Sequence, residues 1–236
     1  MHALVVGASG GIGAALVAQL AADPRVRHVT AWARADAPAL PEAVSRTKVD
    51  ILDEASIISA ALELGEVDFA IIATGLLQNA ASSIRPEKTW RALDADAMRA
   101  SFEVNTIGPA LIAKHVLPKL PRDRRSVFAV LSARVGSIGD NRSGGWYSYR
   151  ASKAALNQIV RCLAIELAPR WPHAICVGLH PGTVDTNLSK PFQANVAAGK
   201  LFTAEQSAGH LLQVVSNLQP SQSGRVFDWA GIEVPP

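Results

Sequence analysis

The chain has 236 residues, 49% of them apolar and 18% charged, with a formal net charge of +3. That length supports one domain, spanning 1–236, with a substantial core, and basic residues scattered rather than gathered into a stripe give no footprint for nucleic acid. No apolar run approaches the roughly 18 residues of a membrane span, and Cys162 and Cys176 form no Cys-x-x-Cys unit, so we expect a cytoplasmic protein with reduced, buried thiols and no membrane partner.

Met1 to Ala22 is apolar but lacks a basic start and has glycines inside its apolar run, which reads as structure rather than a leader. Ala3 to Val6 suits a buried strand, Gly7 to Gly13 a sharp turn, and Ala14 to Leu20 a helix. Further strands are expected at Val26 to Trp32, Thr47 to Ile51, Phe69 to Ala73, Ser126 to Leu131, Ala174 to Leu179 and Arg225 to Phe227. Helical patterns lie between them: Ala95 to Leu117 with a bend at Gly108-Pro109, Tyr147 to Ala168, and Thr203 to Asn217 with Thr203 as cap. Asn187 to Leu201 is less regular and reads as a flap over a pocket. This alternation predicts an α/β fold, a Rossmann-type doubly wound parallel sheet of about seven strands with helices on both faces.

Three features carry chemistry. Gly7-Ala8-Ser9-Gly10-Gly11-Ile12-Gly13 follows the first strand and opens a helix, where bare backbone and helix N-terminal amides can approach a pyrophosphate. Tyr149 and Lys153 are four apart on a helix, so they share a face, and an ammonium beside a phenol favours the phenolate. At the end of the second strand, Arg34 can stack on adenine and fork onto a ribose 2′-phosphate, which favours NADP(H) over NAD(H), although Asp36 is close enough to pair with it. The six histidines show no metal-ligand spacing, so no metal site is expected.

The glycine turn, Asn105-Thr106-Ile107-Gly108, Tyr149-x-x-x-Lys153 and Pro181-Gly182 together resemble the short-chain dehydrogenase/reductase family over nearly the whole chain. Arg134 to Asn141 followed by Gly144 to Lys153 is similar to its C-factor-like branch, which includes carbonyl reductases. The resemblance implies interconversion of a carbonyl and an alcohol, with Tyr149 as general acid/base, Lys153 on the nicotinamide ribose and Asn105 positioning a proton-supplying water. It further implies Asp50 and Ile51 at the adenine, Ala73, Thr74 and Gly75 against the cofactor, and Pro181, Gly182, Thr183, Val184 and Thr186 at the carboxamide and phosphates. It also implies a homodimer or homotetramer built through the helices that carry Asn105 and Tyr149.

Two departures stand out. The family's catalytic serine falls on Ala133, a loss of about a hundredfold in rate if nothing replaces the hydroxyl, for which Ser132 and Ser137 are the neighbouring candidates. Ile72-Ala73-Thr74-Gly75 stands where many relatives have Asn-Asn-Ala-Gly, leaving the brace of that sheet end unaccounted for. Ala133 and the C-factor likeness keep open a cofactor-binding signalling protein with weak or lost catalysis. A sugar-nucleotide epimerase shares the fold, but only about thirty residues follow Thr203, too few for its usual substrate region. The apolar side chains Leu188, Phe192, Val196 and Leu201 point to a modest apolar carbonyl compound as substrate.

Overall fold

The computed structural model describes residues 1–34, 43–79, 84–197 and 199–236. The strands are β1 (His2–Val6), β2 (His28–Ala33), β3 (Val44–Lys48), β4 (Phe69–Ile72), β5 (Ser126–Leu131), β6 (Ala174–His180), β7 (Thr183–Val184), β8 (Leu201–Phe202) and β9 (Val226–Asp228). The α-helices are α1 (Gly11–Ala22), α2 (Glu54–Glu63), α3 (Ala95–Phe102), α4 (Gly108–Val116), α5 (Tyr147–Leu167) and α6 (Ala204–Asn217). Seven strands form one sheet in the order β3-β2-β1-β4-β5-β6-β9, every pair parallel.

Both faces of this sheet are covered, which is why its central strands are continuous apolar runs. Along β1, Ala3 and Val5 enter one core with α1 and α6, while Leu4 and Val6 enter the other with α2, α4 and α5. The strand order reverses between β1 and β4, and a crevice opens there at the carboxyl ends of the strands, the place where such sheets bind ligands.

Three sequence expectations need correction. The third strand ends at Lys48, so Val49, Asp50 and Ile51 lie in the loop beyond it; the strand is a half-exposed edge whose residues alternate weakly. The irregularity in the Asn105 helix comes one turn before Gly108-Pro109, as a π-helical turn over Glu103–Ile107 in which Gly108 N–H reaches back to the Glu103 carbonyl. Pro109 has no N–H for the Asn105 carbonyl, and the wider turn accommodates that missing bond. Cys162 is exposed on α5, whereas Cys176 is buried.

Thr203 caps α6 as expected, its hydroxyl accepting from Gln206 N–H while the Gln206 side chain returns to the Thr203 backbone. Within the expected flap, Lys190–Asn195 forms a 3₁₀ turn and Leu201–Phe202 pairs in parallel with Thr183–Val184. Among the described residues no helix is long and apolar enough to cross a membrane.

Candidate active site

The glycine turn is tight because side chains would not fit. Gly7 has φ +84°, and a Cβ on it would lie 3.0 Å from the Ala73 carbonyl group, so β1 and β4 touch at the crevice. A Cβ on Gly13 would lie 2.1 Å from Gly7 O, and one on Gly11 would lie 2.8 Å from Thr186 Cγ2. Gly7 and Ala8 N–H both donate to Trp32 O, which ties the turn to the end of β2. Gly10 caps α1 without any side-chain hydrogen bond, and the first turn holds no acidic residue, so the amides there suit an anion.

Two cavities run from this turn and share Ala73, Thr74 and Gly75. Gly7, Ser9, Gly10, Trp32, Arg34 and Ile51 line one, at the end of β2. The other, of about 310 Å³, is lined by Ile12, Ala133, Tyr149, Lys153, Pro181 to Val184 and Thr186, with an apolar wall of Leu77, Val135, Trp146, Leu188, Phe192 and Val196. Of the residues expected to bind cofactor, Gly11, Gly13 and Asp50 line neither cavity. The two glycines act through close packing, and Asp50 turns its carboxylate to Leu52 N–H at 3.0 Å. Asp36, the possible partner of Arg34, lies outside the described residues.

Tyr149 and Lys153 occupy the first two turns of α5, with Lys153 Nζ 5.8 Å from the Tyr149 ring centroid. Lys153 is 2% exposed, and its Nζ donates to Leu131 O at 2.8 Å. Burial dominates both groups: it pushes the Tyr149 phenol up to about 12 and the Lys153 ammonium down to about 7. The lowering of Tyr149 by a neighbouring ammonium, expected from the spacing, is therefore outweighed by desolvation in this arrangement, and the phenol holds its proton near neutral pH.

Asn105 is fully buried in the π-helical turn and accounts for the brace that Ile72-Ala73-Thr74-Gly75 left open. Its Oδ1 accepts from Leu76 N–H at 2.7 Å, and its Nδ2 donates to Leu76 O at 2.8 Å and to Ser152 Oγ at 3.1 Å. A Cβ on Gly75 would lie 3.7 Å from Asn105 Oδ1 and 3.9 Å from Lys153 Nζ, so the end of β4, the π-helical turn and α5 meet at one point.

Sequence reasoning missed Glu87. This carboxylate, 4% exposed, accepts from Ser148 N–H at 3.2 Å and from the Ser148 hydroxyl, while Glu87 O accepts from Trp146 N–H at 2.5 Å. Trp146 itself is left-handed, φ +52° and ψ +42°, and offers no cap to α5. A carboxylate at a helix N-terminus meets the positive end of the helix dipole, so Glu87 caps α5 from 61 residues away. No local pattern could have revealed it. Trp146 forms part of the cavity wall: it meets Phe192 at 5.1 Å and Tyr149 edge-on at 6.3 Å.

The short chain dehydrogenase family profile matches residues 1–197. The chain is 37% identical over 149 residues to the C-signal protein of Myxococcus xanthus, covering 62% of this chain and 84% of that one. It is 39% identical over 133 residues to the 1-hydroxy-2-glutathionyl-2-methyl-3-butene dehydrogenase of a Rhodococcus strain, covering 56% of each protein. Its structure superposes on the NADPH-bound carbonyl reductase from chicken fatty liver with a TM-score of 0.83 at 25% identity, covering 100% of this chain and 94% of that one. A carbonyl reductase from Pseudomonas aeruginosa gives 0.80 at 25% identity, covering 100% of both. The chain belongs to the short-chain dehydrogenase/reductase family, oxidoreductases that act on CH–OH and C=O groups with a nicotinamide cofactor.

Proposed function

We propose that this chain is an NADP(H)-dependent carbonyl reductase in which Tyr149 is the general acid/base. The observation that carries the reading is the placement of Tyr149 and Lys153 in a cavity that continues, through Ala73 to Gly75, into the groove of the glycine turn. The bare α1 amides, the missing side chains at Gly7 and Gly75, and Thr74 Oγ1, which has no hydrogen-bond partner among the described residues, fit a dinucleotide lying along that groove. Bound there, the nicotinamide ring supplies or accepts the hydride.

Tyr149, whose phenol keeps its proton near neutrality, donates it to the carbonyl oxygen during reduction and recovers it through Lys153 and water held near Asn105. Lys153 would hold the ribose hydroxyls, and Arg34, which lines the second cavity, would pair with a 2′-phosphate. The wall of Leu77, Val135, Trp146, Leu188, Phe192 and Val196 selects a modest apolar carbonyl compound and keeps water from the reacting carbon. Two or four copies associate through the helices carrying Asn105 and Tyr149, which light scattering on the purified protein tests.

A second reading is favoured by Ala133 and by the likeness to the C-signal protein: a binder of cofactor that signals without turnover. Following NADPH absorbance with phenanthrenequinone and a panel of apolar ketones and aldehydes separates the two. Consumption supports the reductase, whereas fluorescence-detected NADPH binding without consumption of any carbonyl supports the binder. Tighter binding of NADH than of NADPH would reverse the cofactor assignment, and R34A should weaken NADPH selectively by about tenfold, the loss of one charge-assisted pair.

A further inference from the structure

Reduction places negative charge on the carbonyl oxygen, and one donor aimed at that atom is worth about a hundredfold or more in rate. Ala133 offers only a methyl group at the position where family resemblance leads one to expect a hydroxyl. The two neighbouring hydroxyls are committed elsewhere. Ser132 lines the cavity beside Ala133, but its Oγ spends its proton on Asn157 Oδ1 at 2.6 Å. Ser137 Oγ donates to Pro236 O at 3.3 Å, accepts from Asp140 N–H at 3.0 Å, and does not line the cavity.

His180 does line it, together with Ala133 and Tyr149. It ends β6 directly after Leu179, whose carbonyl receives Ser132 N–H at 2.8 Å, so the imidazole is borne by the strand adjacent to the Ser132-Ala133 segment. Its Nδ1 is sealed from solvent and has no hydrogen-bond partner among the described residues. Asp228 is its register neighbour on β9, but the Asp228 Oδ1 atom already accepts from Ala230 and Ile232 N–H, each at 2.9 Å. Burial, outweighing Asp228 and joined by the Arg134 charge, pushes the imidazole down to about 4. The ring is therefore neutral at pH 7, and because Nδ1 is sealed, Nε2 is the nitrogen that can present an N–H to the cavity while Nδ1 stays bare.

We propose that the neutral imidazole of His180 donates to the substrate's carbonyl oxygen the hydrogen bond that Ala133 cannot. The inference rests on the carbonyl-reductase reading above. Hydride forms the new C–H bond, the carbonyl π pair moves onto oxygen, and the Tyr149 proton completes the hydroxyl. His180 keeps its own proton and holds that oxygen in place while charge gathers on it. Imidazole and serine hydroxyl are then interchangeable donors from adjacent segments, the end of β6 and the turn after β5, which is a testable property that a packing role for His180 lacks.

The experiment measures NADPH-dependent reduction of phenanthrenequinone by wild type, H180L, A133S, T74V and the double variant A133S/H180L, with NADPH affinity read by fluorescence. H180L should lose about a hundredfold in kcat, as for one removed donor, with NADPH affinity within threefold of wild type. Adding A133S to H180L should restore kcat to within about tenfold of wild type, a serine supplying a comparable donor. Full activity in H180L, or a loss that A133S leaves unrepaired in a protein that binds NADPH, overturns the inference. So does a comparable loss in T74V with H180L unaffected, since Thr74 Oγ1 would then be the donor. Should H180L not fold, H180N and H180F are compared: equal kcat in the two overturns the inference, and a large deficit in H180F alone supports it. Wild-type protein that consumes no NADPH overturns the proposed function and this inference together; normal wild-type turnover with unchanged variants overturns the inference alone.

Discussion

Asn105 grips Leu76 at two points, its Oδ1 accepting the Leu76 N–H at 2.7 Å and its Nδ2 donating to the Leu76 carbonyl at 2.8 Å. Side-chain amides can mimic a strand partner in this way, and here the mimicry fixes the chain just past β4, where Gly75 and Lys153 Nζ converge. Replacing Asn105 by Ala strands two backbone groups in a buried place. N105A should cost about 2 kcal/mol of stability in urea unfolding, in line with unsatisfied buried groups, and weaken NADPH binding. Wild-type stability in N105A would mean that the clamp contributes nothing.

Y149F keeps the ring that packs edge-on against Trp146 and removes only the hydroxyl. Turnover of any carbonyl substrate should fall by about a thousandfold, the range of a lost general acid, while NADPH affinity stays within threefold. Residual activity near wild type would remove Tyr149 from the proton-donating role.

Glu87 caps the helix that carries Tyr149 and Lys153. E87A leaves Ser148 N–H and hydroxyl without their acceptor and should destabilise the fold by about 2 kcal/mol, a strong cap loss. Because the start of α5 then frays, kcat should fall with it. A normal kcat in E87A at temperatures well below its melting point would show that the cap serves stability alone.

The buried ammonium has a pH signature. Lys153 in the folded chain sits at about 7 against an ordinary value of 10.5. Between those values the unfolded chain binds a proton that the folded chain lacks, so stability rises with pH across that window. Tyr149, raised to about 12, acts in the opposite sense only between pH 10 and that value. The unfolding free energy from urea titrations at pH 7 to 9 should climb for wild type relative to K153M, by at most about 1.4 kcal/mol per pH unit. Parallel profiles for the two proteins would mean that Lys153 is charged in the folded state.

Gly13 has no room for a methyl group, its Cβ position lying 2.1 Å from Gly7 O. G13A must push α1 off the turn, at about 3 kcal/mol, an overpacking cost. A lowered melting temperature and at least tenfold weaker NADPH binding should appear together. Unchanged binding with lowered stability would separate the turn from the cofactor.

The doubly wound sheet was legible because its signals are local: apolar runs such as Ala3 to Val6, the glycine turn behind them, and the i, i+4 spacing of Tyr149 and Lys153. The third strand was misplaced by three residues, since a half-exposed edge strand such as Val44–Lys48 carries little pattern while the apolar Val49 and Ile51 beyond it do. The bend expected at Gly108-Pro109 came a turn early because a missing N–H is felt at the carbonyl four residues before it.

By itself, then, the amino-acid order determined the fold class and the residue types of a nicotinamide-dependent site, since both are written in short-range periodicity and spacing. Folding alone decided that Asn105 braces Leu76, that Glu87 caps α5 and that His180 faces the cavity beside Ala133. Those partners lie 29 to 61 residues apart or on neighbouring strands, and no local pattern records which distant groups a sheet will bring together. The ionisation of Tyr149 and Lys153 was settled at the same level, because desolvation depends on what surrounds a group in space.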